Sequence, residues 1–245
     1  MKLIVNADDF GISKAVTLGI LEAYKNGIVR STTLMCNMPA AEYAANIAKE
    51  NPGLGVGIHF VLTAGYPLSE GVDSLVDESG KFKKIGIQEK SAKIDDVRKE
   101  FRAQMDKFLS FGIKPTHIDS HHHVHGAEQI FEVVKEMALE YNLPVRLALN
   151  DDIKFPNDIK TTSAFEDGFY GNEKITPENI IKLLEENKDK ESFEIMSHPA
   201  YLDQQILNSS SYALPRTKEL ETLTSNEVKN YINENNIDLI SYKNL

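Results

Sequence analysis

The amino-acid sequence predicts an α/β protein with a parallel sheet, closed into a (β/α) barrel in preference to an open sheet. Three observations predict it. Strand-like and helix-like patterns alternate along the chain, and acids, histidines and an arginine fall at the ends of the strand-like runs. The length of 245 residues and 27.5 kDa, with 41% hydrophobic and 26% charged residues, is enough for one large core under a wet surface. The expectation is a single domain over residues 1–245.

Each element has its own justification. Leu3 to Ala7 is a short run rich in β-branched residues, and Ser13 offers an N-cap for a helix through Tyr24 that Asn26-Gly27 stops. Val29 to Met35 reads as the second strand, an alanine-rich helix runs from Pro39 to Glu50, and Leu54 to Leu62 reads as the third strand. A polar, glycine-containing stretch spans Ala64 to Lys93. Asp95 or Asp96 then caps a helix whose Val97, Phe101, Met105 and Phe108 share one face. Thr116 to Ser120 is a strand, Ile130 to Tyr141 a helix and Val145 to Leu149 a strand. The region from Asn150 to Lys174 lacks periodicity and reads as a loop excursion over one end. Thr176-Pro177-Glu178 starts a helix, since proline at the first position lacks only a donor that would be orphaned anyway. Phe193 to Met196 is the next strand. Thr224-Ser225-Asn226-Glu227 resembles a capping box, and Ile237 to Ser241 closes a series of about seven strands.

Composition narrows the function classes. The net charge of -10 argues against nucleic acid as a partner, because affinity for it comes from neutralised phosphates. Cys36 is the one cysteine, which suits a reducing compartment. The apolar run Leu3-Ile4-Val5 is too short for a secretory signal, and no run approaches the roughly 20 residues of a membrane span. A soluble cytoplasmic protein is expected, with a homodimer kept open as its oligomeric state.

Five of the seven histidines lie in Thr116-His117-Ile118-Asp119-Ser120-His121-His122-His123-Val124-His125. Read as a strand running into a loop, this places His117, Asp119, His121, His123 and His125 on one side. Crowded imidazoles are costly when protonated and useful when they hold a metal. The competing reading is a surface histidine cluster. Asp8 and Asp9 follow the first strand, where barrel enzymes place catalytic groups, although Asp and Gly also favour plain turns. Asp9-Phe10-Gly11 matches a kinase triplet, but no phosphate loop accompanies it. His59 ends the strand Gly55-Val56-Gly57-Ile58-His59, whose glycines permit close backbone approach; a lone core histidine is the alternative. His198 follows the strand before Pro199. Arg146 sits inside an apolar strand, and its burial requires a carboxylate partner or a use. Together these are the parts of metal-assisted hydrolysis: a cation with open positions, a base and an acid.

These segments resemble the YdjC-like carbohydrate deacetylases, which include chitin-disaccharide (chitooligosaccharide) deacetylase. The likeness runs nearly end to end, on Val5-Asn6-Ala7-Asp8-Asp9-Phe10-Gly11, Gly27-Ile28-Val29 with Ser31-Thr32-Thr33, and Gly57-Ile58-His59-Phe60-Val61-Leu62-Thr63. It continues on Lys114 to His125, Phe169-Tyr170-Gly171, Ser197-His198-Pro199-Ala200 and Leu214-Pro215-Arg216. The resemblance implies a distorted, polysaccharide-deacetylase-like barrel, a magnesium-type site and removal of N-acetyl groups from N-acetylglucosamine-containing oligosaccharides. It implies His59 and His121 as metal ligands. Asp9 as the third ligand and Asp8 as the base come from a more distant likeness to polysaccharide deacetylases with adjacent aspartates. His198 becomes the acid, and Arg146 is placed to hold Asp8 ionised.

Two histidines and one carboxylate suit zinc, cobalt or nickel by softness, so Mg2+ is entered first on the resemblance and Zn2+ is kept as the alternative. His123, His125, Tyr170 and Tyr201 are the candidates for contact with an acetylated oligosaccharide. The rivals are another metal hydrolase on this scaffold, such as a phosphoesterase or a different amidase, and a non-enzymatic metal-binding protein. The stretch from residue 65 to 92 matches no family segment.

Overall fold

The computed structural model describes residues 1–245. Seven strands alternate with helices: β1 (Lys2–Phe10), α1 (Lys14–Asn26), β2 (Ser31–Leu34), α2 (Ala41–Glu50), β3 (Gly55–Phe60), α3 (Gln88–Ser91), α4 (Ile94–Ser110), β4 (Ile118–Ser120), α5 (Glu128–Tyr141), β5 (Ala164–Glu166), α6 (Pro177–Glu186), β6 (Ser192–Ser197), α7 (Gln204–Ser209), α8 (Leu214–Thr224), α9 (Asn226–Glu234) and β7 (Asp238–Ile240). Every strand pairing is parallel, in the order β4-β3-β2-β1-β6-β5. β7 pairs with the first residues of β1, from Lys2 to Ile4, and β2 with its later ones, from Asn6 onward. The sheet curls into the expected distorted barrel. Beyond β4 the wall continues only through a bridge from Ile118 to Val145, whose N–H donates to Lys160 O at 2.9 Å.

β1, β2, β3 and β6 are buried on both faces, apart from Lys2 at the start of β1, as parallel strands covered by helices must be. Fifty-seven buried apolar residues form one cluster that spans strands and helices. Gly57 shows why a small residue was needed in β3: a Cβ there would lie 2.4 Å from His117 Nδ1. None of the helices is long and apolar enough to cross a membrane.

Ser13 and Thr176 cap α1 and α6 as expected, each accepting an N–H at 3.2 Å. Several expectations are corrected. The cap of α9 is Ser225 rather than Thr224, whose hydroxyl turns back to Leu220 O. Neither Asp95 nor Asp96 caps α4, because Asp95 pairs with Arg98 and Asp96 accepts the N–H of Ser74. Val145 to Leu149 is not a strand, since the chain after Pro144 makes one bridge and then turns away. The missing strand is β5, inside the stretch read as a loop; at three residues it is too short to show periodicity. The 65–92 segment is anchored rather than loose: Glu100 of α4 accepts the N–H groups of Leu68 and Ser69, and Val72, Leu75 and Phe82 enter the core.

Candidate active site

The proposed chemistry gathers at the carboxyl ends of β1, β3, β4 and β6. In a regular strand Asp8 and Asp9 would point to opposite faces. Here the register of β1 against β2 shifts between Ala7 and Phe10, and Asp9 has φ of 68°. Such a bulge re-aims a side chain, and Asp tolerates the left-handed region better than most residues. Both carboxylates therefore reach the site.

Asp8 is buried and nearly saturated. Arg146 donates to both of its oxygens at 2.7 Å, and Asn6 Nδ2 adds a bond to Oδ1 at 2.8 Å. A carboxylate has about four lone-pair sites, so one is left, on Oδ2. Burial raises the Asp8 carboxyl, but Arg146 outweighs it and holds the group well below the usual carboxylate range. Arg146 is itself fully enclosed and meets Asp119 Oδ2 and Glu194 Oε1, each at 2.9 Å. The expected carboxylate partner of this buried charge is thus three carboxylates.

Asp9 differs. Arg216 Nη2 donates to its Oδ2 at 2.6 Å, while Oδ1 is buried without a hydrogen-bond partner. That bare oxygen lies 3.5 Å from His59 Nε2 and 3.1 Å from His121 Nδ1. His59 and Asp119 are register partners on β3 and β4, and His59 Nδ1 meets Asp119 Oδ1 at 2.6 Å. Thr33 Oγ1 donates to the other Asp119 oxygen at 2.9 Å. A histidine tied to a carboxylate through Nδ1 presents Nε2 in the tautomer a metal requires. The orphaned Asp9 oxygen, two imidazoles and a carboxylate behind one of them fit a divalent cation. Asp8, His59 and Asp119 form a second close group, but Arg146 already supplies its positive charge.

The histidine stretch is not an alternating face. β4 ends at Ser120, and His121 to Gly126 form a 3-10 segment in which His122 and His123 have φ of 56° and 54°. His117 stacks on Tyr242 at the barrel floor, with ring centroids 3.9 Å apart, and does not join the site. His125 is completely buried, with Nδ1 2.5 Å from Ser120 Oγ, so it has no surface to offer a saccharide; this corrects its expected role. His122 meets Thr63 Oγ1 at 2.9 Å. Burial pushes His122 and His125 down to about 4 and His123 to about 3, so these three avoid mutual repulsion by staying neutral. His123 lines an open cavity of about 440 Å3 with Glu89, Lys90, Leu149 and Asn150.

His198 follows β6. Its backbone N–H donates to Glu219, and its Nδ1 is unpartnered and 3.8 Å from Glu219 Oε1. Tyr170 and Tyr212 both meet the His198 ring edge-on, and they stack on each other at 4.1 Å. Tyr201 is half-exposed, three residues further on. Asn6, Asp119, Glu194, Arg216, Glu219 and Tyr242 had no assigned role. Arg216 was visible in the Leu214-Pro215-Arg216 motif and Asp119 in the histidine stretch, whereas Glu194 and Tyr242 carried no signal.

Fold and site define a parallel (β/α) barrel with a candidate cation cluster beside an arginine-held aspartate. The chain belongs to the YdjC-like family, whose profile, described as YdjC-like protein, matches residues 2–234. A carbohydrate deacetylase of Clostridium beijerinckii is 60% identical over the whole of both chains. A crystal structure from Enterococcus faecalis, described as a cellobiose-phosphate cleavage protein, superposes with a TM-score of 0.95 at 39% identity and covers 99% of this chain and 98% of its own. A family 4 carbohydrate esterase of Streptomyces lividans shares the fold, with a TM-score of 0.54 at 9% identity, covering 97% of this chain and 90% of its own.

Proposed function

We propose that the chain is a metal-dependent hydrolase that removes N-acetyl groups from N-acetylglucosamine-containing oligosaccharides such as diacetylchitobiose or its phosphate. Carbohydrate deacetylation is the activity named for the full-length relative at 60% identity. The observation that carries the reading is one strand bearing Asp9, with an oxygen bare before two imidazoles, beside Asp8, held ionised by Arg146.

A divalent cation held by Asp9, His59 and His121 supplies carbonyl polarisation and a lowered pKa of water. The rest falls to side chains. Asp8 accepts the water proton on its remaining lone pair at Oδ2, Arg146 keeping it unprotonated for that task. His198 protonates the departing amine, which an amide needs because a free amide anion is a poor leaving group. A carboxyl held ionised cannot donate a proton, so Asp8 does not suit the acid half of glycosidic cleavage. Tyr170 and the cavity beside His123 offer the sugar an aromatic face and a polar wall.

Softness favours zinc or cobalt at this ligand set, and the family resemblance favours magnesium, so ion choice belongs to the test. Metal-stripped protein is reconstituted with each ion and assayed for acetate release from diacetylchitobiose, its phosphate, acetylated peptides and phosphodiesters. Acetate release from the sugars, restored by metal, is expected. Efficient phosphodiester cleavage with every N-acetyl sugar untouched overturns the reading, as does cleavage of cellobiose phosphate alone.

A further inference from the structure

Below the site, the barrel floor holds groups that the proposed reaction leaves unused. Glu194 stands on β6, and Tyr242 opens the short 3-10 turn Tyr242–Asn244 after β7. Both side chains are buried. The Tyr242 ring lies flat on His117, at 10° between planes, so its hydroxyl has a fixed direction. That hydroxyl donates to Glu194 Oε2. The other oxygen, Oε1, accepts from Arg146 Nε at 2.9 Å, and the two Nη atoms of Arg146 close on Asp8.

A guanidinium is a rigid plane of donors, so a group that fixes its Nε edge also fixes where the Nη pair aims. Asp8 and Asp119 hold the Nη end, and Glu194 Oε1, 2.9 Å from both Nε and Nη2, holds the adjoining edge, so the guanidinium cannot slide or turn away from Asp8 without losing that acceptor. Burial pushes the Glu194 carboxyl up to about 7 even against the opposing bonds from Arg146 and Tyr242, and without either bond it would rise further. Tyr242 thereby sustains the ionised form that grips Nε. The line runs without a gap from the C-terminal turn to Asp8.

We propose that Glu194 and Tyr242 are positioning residues: through Tyr242, Glu194 and Arg146, the C-terminal turn sets the aim of the Asp8 oxygen that takes the proton. This rests on the reading of Asp8 as base. Neither residue touches substrate or cation, so their effect falls on turnover and spares substrate and metal binding.

Tyr242→Phe keeps the ring and its stack on His117 and removes one donor. Loss of a hydrogen bond to a charged group should lower kcat for acetate release about tenfold, with KM and metal affinity within about twofold. Glu194→Gln, of equal volume, should lose at least as much. Because Tyr242 acts through Glu194, the double variant should be no worse than Glu194→Gln alone; losses that multiply overturn the proposal. Crystal structures of the wild type and Tyr242→Phe add a readout independent of activity. One Nη to Asp8 contact is expected to lengthen beyond about 3.5 Å in the variant, the limit of a hydrogen bond. An unchanged fork overturns the positioning role even if kcat falls, and so does a fall in metal content that parallels the fall in turnover. A wild type that releases no acetate defeats the deacetylase reading, while the geometry of the fork still decides this one.

Discussion

Asp8 and Asp9 are neighbours on β1, each is gripped by an arginine, and the two grips differ. Arg146 takes both oxygens of Asp8. Arg216 takes one oxygen of Asp9 and leaves the other bare between His59 and His121. Burial raises both carboxyls and the surrounding groups outweigh it, Arg146 foremost at Asp8 and Arg216 together with His121 and His59 at Asp9, so both stay ionised. What separates them is therefore not charge but the lone pairs left over. A carboxylate with one lone pair left can take a proton but not hold an ion, whereas one with a whole oxygen bare can ligate.

The largest expected effect tests that difference directly. Asp9→Ala, His59→Ala and His121→Ala should each strip the metal and reduce acetate release to background, read by elemental analysis and assay of the same samples. If Asp8→Asn strips the metal as thoroughly, the distinction between the two aspartates is broken. Asp8→Asn and His198→Ala should instead keep metal and substrate binding and lose roughly two to four orders of magnitude in turnover, the usual share of a general base or acid. Near-wild-type turnover in either removes its assigned role.

A smaller effect sharpens the comparison from the arginine side. Arg216→Lys keeps a positive charge near Asp9 but loses the guanidinium geometry that turns Oδ2 away and Oδ1 toward the histidines. Outer partners of metal ligands are typically worth about 10–100-fold in affinity, and that loss is expected by metal titration. Unchanged affinity would mean that the bulge at Asp9, rather than Arg216, aims the ligand.

Much of this was legible in the sequence, and what was not has physical causes. Helix caps at Ser13 and Thr176 are local chemistry, and the long buried strands declare themselves by composition. The order of ligand-bearing strand ends was readable because a parallel barrel puts all of them on one rim. The bulge that turns Asp8 and Asp9 to the same side was not, since it depends on how β1 registers against β2. Nor was the sorting of the histidines: two successive left-handed residues, His122 and His123, break the alternation that placed five groups on one face. Glu194 and Tyr242 looked like an ordinary strand acid and a terminal aromatic. Their significance comes from contacts spanning 48 positions each, between Arg146 and Glu194 and between Glu194 and Tyr242.

The smallest expected effect lies at the acid, whose ring no arginine touches. The base is fixed by charge, but the His198 ring is fixed only by contact: Nδ1 is 3.8 Å from Glu219, too far for a hydrogen bond, and the edges of Tyr170 and Tyr212 do the rest. Tyr212 is anchored by its hydroxyl on Glu219 at 2.5 Å, so Tyr170, stacked against it and 45% exposed, is the outer plate of a rigid pair. A sugar face laid on that plate gains about 1 kcal/mol from ring contact. Tyr170→Ala should then raise KM about five- to tenfold with kcat little changed, while Tyr170→Phe keeps the wild-type KM. A fall in kcat at constant KM would give Tyr170 a different task, holding His198 at the angle for proton donation, and would show that the acid needs a brace just as the base needs Arg146.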